Sequence, residues 1–239
     1  MALKSSPPFN LVGRWLVLLS LAAIAVGEAP MPQLMFPGEN WEHNVPTHTG
    51  DRWLALRNDA NGSLLSKTTI VVSKNSRTEM RPLVVTAKEA FSPLFFVRGI
   101  PRLSPGPVRT LFDGLLFLGF DHGATFSHAG PGGSEVSLTA ARPFADRNSG
   151  GVRFKKGYHL VLGSYSKGIR QYLMVLGDAP VNTPSLIWAG DLDRDGQVDL
   201  LLDVETGEAA GSTYQLWLST MAKPGDLVGL AATLRDPAC

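Results

Sequence analysis

The chain has a single cysteine in 239 residues, and it is the last one, Cys239. An intramolecular disulfide is excluded, so the fold must be held by its core and by any bound ion. Charge is scarce as well. Charged residues make up 18% of the chain and the net charge is +1. So even a balance offers no extended basic surface, which argues against nucleic acid or an anionic membrane as partner. The apolar run Trp15–Val26 is short of the about 20 residues that a bilayer-spanning helix needs. No long amphipathic helix is readable, because apolar residues do not recur at helical spacing over any long window.

Turn formers are abundant, with 25 glycines and 17 prolines. Short β-branched or alternating runs lie between them. Thr68–Ser73, Pro82–Ala87, Leu94–Val97, Glu135–Ala140, Tyr158–Ser164, Ile169–Leu176 and Val228–Leu234 all read as strands. Turn signals return about every 8–12 residues, the rhythm of a sandwich, barrel or blade-like meander. Asn61-Gly62 and Tyr165–Gly168 read as hairpin turns. Val108–Phe120 is the most hydrophobic internal stretch and reads as one or two buried strands divided at Asp113-Gly114, with a short buried helix as the alternative.

The N-terminus reads as an export signal over residues 1–27. Lys4 and Arg14 precede the apolar run, and Ala25 and Gly27 supply small residues at the −3 and −1 positions of a cleavage site. Pro30, Pro32 and Pro37 break any helix that might continue it. An uncleaved anchor is the alternative. The expected location is secreted or periplasmic, with membrane contact only through the signal segment during export. Residues 28–50 read as a lead-in, 51–181 as a β-rich domain, and 182–239 as a second β segment.

That second segment carries the most specific chemistry, the stretch Asp191–Glu205, DLDRDGQVDLLLDVE. Carboxylates at relative positions 1, 3 and 5 converge as a chain curls, and glycine at position 6 permits the sharp bend. Calcium, a hard cation, takes six to eight oxygen ligands of this kind. The expected ligands are the side chains of Asp191, Asp193, Asp195 and Asp199 and the backbone carbonyl of Gln197. A bidentate Glu at position 12 would mark a helix–loop–helix calcium hand, but Leu202 stands there. Val198, Leu200, Leu202 and Val204 alternate with Asp199, Leu201, Asp203 and Glu205, so the loop leads into a strand. A metal-free polar turn and a regulatory or catalytic metal are the competing readings.

The run AGDLDRDGQVDLLLD resembles one copy of the FG-GAP or VCBS-type repeat over roughly residues 186–220. The resemblance implies a calcium-binding loop between two strands of a β-propeller blade, with Asp191, Asp193, Asp195 and Asp199 as ligands. A propeller needs several blades. Asn58–Gly62 and Asp146–Gly151 echo the loop but lack most of its carboxylates. The expected fold class is therefore all-β, an antiparallel sandwich or partial blade-like meander.

Other clusters are weaker. His122 and His128 flank a Gly-rich segment at no zinc spacing. Ser166 lacks the first glycine of a nucleophile elbow. Trp41, Trp53, Trp188 and Trp217 suit either a carbohydrate-stacking face or core anchoring. The expected function is an exported calcium-binding protein with a non-enzymatic binding or scaffold role toward a protein or glycan partner. A secreted hydrolase acting on polysaccharide or peptidoglycan, and a cell-surface adhesion module, are the alternatives.

Overall fold

The computed structural model describes residues 31–41, 45–60, 62–75, 83–120, 124–129, 135–141, 145–146, 153–154, 158–176, 183–204 and 212–235. The expected signal segment, His122, Glu205 and Cys239 lie outside them.

Strands begin inside the expected lead-in, with β1 (Gln33–Met35) and β2 (Gly38–Trp41). β3 (Arg52–Asp59) and β4 (Gly62–Lys74) form a hairpin closed at Asp59 and Gly62. β5 (Leu83–Ala87), β6 (Pro93–Arg98), β7 (Gly106–Thr110) and β8 (Leu118–Gly119) follow. Next come β9 (Thr125–Ala129), β10 (Glu135–Ala141), β11 (Ala145–Asp146), β12 (Arg153–Phe154), β13 (Tyr158–Ser164) and β14 (Ile169–Leu176). β15 (Ser185–Asp191), β16 (Asp199–Asp203), β17 (Thr213–Leu218) and β18 (Gly229–Arg235) complete the chain. Among the described residues every pairing is antiparallel, so the all-β expectation holds.

The main sheet runs β1-β6-β3-β4-β7-β15-β16-β17-β18, with β2, β5 and β8 attached beside that path. Its two end strands, β1 and β18, approach each other, so the sheet curls into a nearly closed barrel. Closure removes most of the exposed edge that a lone blade-like meander would carry. A second sheet, β14-β13-β10-β9, packs against it, and β11 pairs with β12. The lead-in residues thus belong to the main sheet, and Trp41 is buried in its core. The sheet also crosses the expected boundary at residue 182, because β15 pairs with β7 and β8.

Two hydrophobic cores follow from the alternation of the strands. Inside the curl, Trp53, Leu56, Phe95, Phe96, Trp188 and Leu201 meet, with Phe95 and Trp188 edge to face at 5.8 Å. Between the sheets, Leu138, Tyr158, Leu160 and Leu162 pack on Leu186, Leu200 and Leu202. β15 and β16 feed both cores and are buried on both faces, as their nearly unbroken apolar sequence requires. Gln171, itself buried, ties the second sheet down. Its Nε2 donates to Val228 O (2.7 Å), and its Oε1 accepts from the amides of Leu227 (2.8 Å) and Val228 (2.9 Å).

Val108–Phe120 departs from expectation. β7 leaves β15 at Thr110, opposite Gly190, and β8 rejoins it at Leu118, opposite Leu186. Eight residue steps on one side therefore face four on the other. The excess loops out between Leu111, whose amide bonds Ala189 O, and Leu116, whose amide bonds Ile187 O. Gly114, at φ 77°, turns the bulge, and Phe117 is left exposed. Asp113-Gly114 is a turn here, but it turns a bulge within one edge of the ladder, not a hairpin.

Gly190 makes the β7–β15 contact possible. A Cβ there would lie 2.5 Å from Arg109 O and 2.5 Å from the Trp188 ring. Gly190→Ala is expected to destabilise the protein by roughly 3 kcal/mol, since neither the strand backbone nor a fully buried indole can yield. The midpoint of urea unfolding measures it, and an unchanged midpoint would show that β7 is not held there.

Candidate metal centre

The Asp-rich loop is strung between two buried strand ends. Asp191 closes β15 and Asp199 opens β16, with Gly190 and Asp199 paired across the ladder. Leu192 drops into the core inside the curl, and Val198 into the core between the sheets. These two anchors explain why apolar residues interrupt an acidic loop. Gly196 takes φ 84°, a left-handed conformation open to glycine without steric penalty. Arg194 also sits at positive φ, 64°, and its guanidinium reaches across to the β6–β7 loop, donating to Ser104 O (3.1 Å) and Pro105 O (3.3 Å). A Cβ at Gly106 would collide with that guanidinium at 2.0 Å, so the glycine is what lets the clamp pass.

The loop brings Asp191, Asp193 and Asp195 together. One carboxylate oxygen from each lies within 4.8 Å of the others, a group that could hold a metal ion. Asp191 is buried, at 5% exposure, while Asp195 is exposed. Asp191 Oδ2 accepts from the Gly196 amide at 3.1 Å. Its Oδ1 is buried and has no hydrogen-bond partner. Asp193 accepts from the Asp195 amide (3.3 Å) and from the Thr220 hydroxyl. Asp195 accepts from the Gln197 amide (2.8 Å) and from Ser219 Oγ (2.8 Å).

Asp199 stands beside this group and not in it. It is fully buried, and both its oxygens are held by neighbouring donors. Oδ2 accepts from the amides of Leu192 (2.7 Å) and Asp193 (3.4 Å), and Oδ1 from the Ser219 amide (2.8 Å), while the single Ser219 hydroxyl proton is shared between this oxygen (3.1 Å) and Asp195. It is a brace that joins the start of the loop to the turn after β17. The side chain of Gln197 faces the β13–β14 hairpin, where Lys167 Nζ donates to its Oε1 at 2.7 Å.

No side-chain cation neutralises the triad among the described residues, whose two salt bridges, Arg57–Asp59 and Arg98–Asp51, lie elsewhere. Two full charges at this spacing repel by about 3 kcal/mol at an effective dielectric near 20, less where solvent screens Asp195. A hydrogen bond to a carboxylate contributes about 1.5–3 kcal/mol. The hydrogen bonds therefore offset part of the repulsion, and a cation or a proton must offset the rest. Burial pushes the Asp191 carboxyl up from its ordinary range, with the charges of Asp195 and Asp193 adding to it against the Gly196 hydrogen bond. Burial, followed by the Asp193 charge, pushes Asp199 up to about 8 against its hydrogen bonds to Ser219 and Leu192. Asp191 thus contributes a carboxylate oxygen to the convergent group and keeps one buried oxygen, Oδ1, without a hydrogen-bond partner.

Ser219, Thr220, Arg194 and Lys167 were not readable as parts of this site. Ser219 and Thr220 lie in or beside a single 3-10 turn, Ser219–Met221, that the β17 backbone delivers from more than twenty residues away. A Ser-Thr pair after a strand carries no signal by itself. The other sequence candidates fall elsewhere. His122 lies outside the described residues, and exposed His128 bonds only Ala129 O among described contacts. Ser166 is exposed in the β13–β14 turn. Trp41, Trp53 and Trp188 are core anchors and form no external stacking face.

Two outcomes follow. Asp199 and Asp191 are both raised, so between about pH 4 and about pH 8 the folded, metal-free chain holds protons that the unfolded chain has released. Stability in chelator is expected to fall as pH rises through that window. Urea midpoints at pH 5, 6.5 and 8 measure it, and a rising series would contradict the assignment. Asp199→Asn turns an amide N–H₂ toward N–H donors and is expected to lose roughly 3 kcal/mol with or without calcium at pH 9, where Asp199 is ionised, and less at pH 5, where the protonated carboxyl already presents an O–H. A loss seen only in calcium would make Asp199 a ligand and not a brace.

The chain matches no protein-family model, no curated protein and no solved structure at a significant level.

Proposed function

We propose that this is an exported calcium-binding protein with a non-enzymatic binding role, in which the ion stabilises the Asp191–Asp199 loop. The observation that carries the reading is Asp191, whose carboxylate converges with those of Asp193 and Asp195 and which keeps a buried oxygen without a hydrogen-bond partner. An all-oxygen, partly solvated group suits a hard cation of calcium's size better than zinc, which favours nitrogen and sulfur ligands at tetrahedral geometry. Asp191, Asp193, Asp195 and the carbonyl of Gln197 would supply ligands, with water at the exposed side. Asp199 would set the loop's shape. The resemblance to a single FG-GAP or VCBS-type repeat supports the same assignment, and β15–β18 follow one another as the four-strand meander expected of such a blade.

The role is structural by this reading. The ion would sit at the meeting point of β15, β16 and the turn after β17, neutralising charge that the fold has already concentrated. Export matters to it, because extracellular calcium is high enough to fill a weak site. A secreted hydrolase would need two convergent carboxylates in a cleft. The cavity of about 550 Å³ beside Trp53 and Arg98 contains one, Glu89, which already accepts from Thr68.

Thermal unfolding of the signal-free protein in excess calcium and in excess chelator tests the reading. Calcium at a hundred times its dissociation constant contributes about 2.7 kcal/mol. For a chain of this size that corresponds to a Tm rise of roughly 5–10 °C. Asp193→Asn is expected to abolish the rise and leave the Tm in chelator nearly unchanged. No calcium effect in the wild-type chain would reduce the loop to a polar turn.

A further inference from the structure

The second sheet turns one face to the main sheet and the other to solvent, and the outer face has a composition of its own. Strand register places Arg170 opposite Gly163 and Gly163 opposite Ser137, while Tyr172, Val161 and Thr139 form the neighbouring row. Ser127 and Thr125 continue the two rows on β9. The rows therefore read as four hydroxyl residues, a glycine and one cation, together with Tyr172 and a buried Val161, and Ile169 also lines the space between them. Gly163 opens a trough between them. A Cβ there would approach Ser137 Oγ at 3.1 Å, so the missing side chain is what gives the trough its floor.

The trough encloses about 450 Å³ and is lined by Ser137, Thr139, Gly163, Tyr165 and Arg170 among others. That volume suits one or two sugar rings. Tyr165 is 79% exposed at its rim, and Tyr172 is 58% exposed on the same face. Tyr172 meets His159 edge to face at 5.6 Å, whereas the Tyr165 ring has no ring partner or hydrogen bond among the described residues. Among the described residues no hydrogen bond or ion pair engages the Arg170 side chain, and it supplies the lining's only charge. Glu135, two residues before Ser137 on the same strand, is not among the lining groups. Tyr165 is also held in place, because its turn carries Lys167, bonded to Gln197 of the acidic loop.

We infer that this trough binds an acidic saccharide. A pyranose ring stacks on Tyr165, its hydroxyls exchange hydrogen bonds with Ser137 and Thr139, and Arg170 takes a carboxylate or sulfate group. Each piece of chemistry matches a feature of sugars: an apolar C–H face for an aromatic ring, closely spaced hydroxyls for a hydroxyl-lined floor, and an anion for a planar guanidinium. The inference supplies a ligand class for the binding role proposed above, and it does not require the calcium reading. If calcium fails to stabilise the loop, the trough is unaffected.

Amide NMR spectra of the signal-free protein in calcium, titrated with trigalacturonate, a sulfated chondroitin tetrasaccharide and neutral cellotriose, test it. At least one acidic saccharide is expected to shift Ser137, Thr139, Gly163 and Tyr165 and to bind about tenfold tighter than cellotriose, the factor one charge-assisted hydrogen bond contributes. Carboxylate and sulfate are told apart by which acidic probe wins. Arg170→Gln is expected to erase that preference, and Tyr165→Ala to weaken every saccharide that binds. Both positions are exposed, and the variant spectra report directly whether the fold is kept. The inference is overturned by no shifts at millimolar saccharide, by equal binding of cellotriose, by Arg170→Gln without effect, or by shifts confined to Asp191–Asp199, which would mean that the sugar only coordinates the ion.

Discussion

The burial of β15 and β16 on both faces is the constraint from which the rest of the molecule follows. One face of this pair completes the core inside the curled sheet through Ile187, Trp188 and Leu201, and the other forms the floor of the second core through Leu186, Leu200 and Leu202. A strand pair covered on both sides can contact water only at its ends. Its connecting loop must therefore turn the chain at the boundary of two cores, with Leu192 sunk in one and Val198 in the other. Removing either sheet would expose a continuous apolar ladder, so the two sheets are one folding problem despite their separate hydrogen-bond networks.

The same constraint creates the electrostatic problem at the loop. Asp191 and Asp199 terminate strands whose ends are buried, and that is where desolvation raises their carboxyls. Had the acidic run been placed on a solvated hairpin, water would have screened it and the spacing of the aspartates would have meant little. Here the fold commits Asp199 to hydrogen bonds from three residues, Leu192, Asp193 and Ser219, and leaves Asp191 with one oxygen unbonded. The two buried carboxylates thus differ: Asp199 has both oxygens hydrogen-bonded, Asp191 has one free, and the more solvated Asp193 and Asp195 lie between them in sequence.

Much of this was legible in the sequence, for reasons that can be named. The all-β class followed from short alternating runs between turn residues, and the four-strand order after Leu186 followed from the period-two pattern that continues past Asp199. The Tyr165–Gly168 turn was readable because Gly168, at φ 63°, supplies the left-handed residue the hairpin needs. Curling into a near-barrel was not readable, since closure depends on β1 and β18 meeting across some two hundred residues. Residues 28–50 looked like a lead-in because their prolines mask two short edge strands. Val108–Phe120 misled because its apolar residues do different things: Val108 and Phe120 are buried, Leu111, Phe112 and Leu115 are half-buried against the two cores, and Leu116 and Phe117 are exposed on the bulge. At the site, the spacing of Asp191, Asp193 and Asp195 announced the triad, but position 9 of the loop could not reveal that Asp199 faces inward to a ring of donors.

That inward orientation bears on what an ion would do. Leu192, Asp193 and Ser219 are already tied to Asp199, and Arg194 is already clamped to Ser104 and Pro105, without reference to any metal. The loop's path is consequently fixed by buried hydrogen bonds and two apolar anchors, so a cation held there would neutralise a charge cluster and not organise a disordered segment. A site preorganised in this way forfeits little conformational entropy on binding. It also passes little shape change onward, so the Lys167–Gln197 bond is a fixed strut between the acidic loop and the outer sheet and not a lever. The two surfaces the molecule offers, an acidic loop at the end of its most buried strands and a hydroxyl-lined trough on its most exposed sheet, can then be occupied independently while sharing one rigid support.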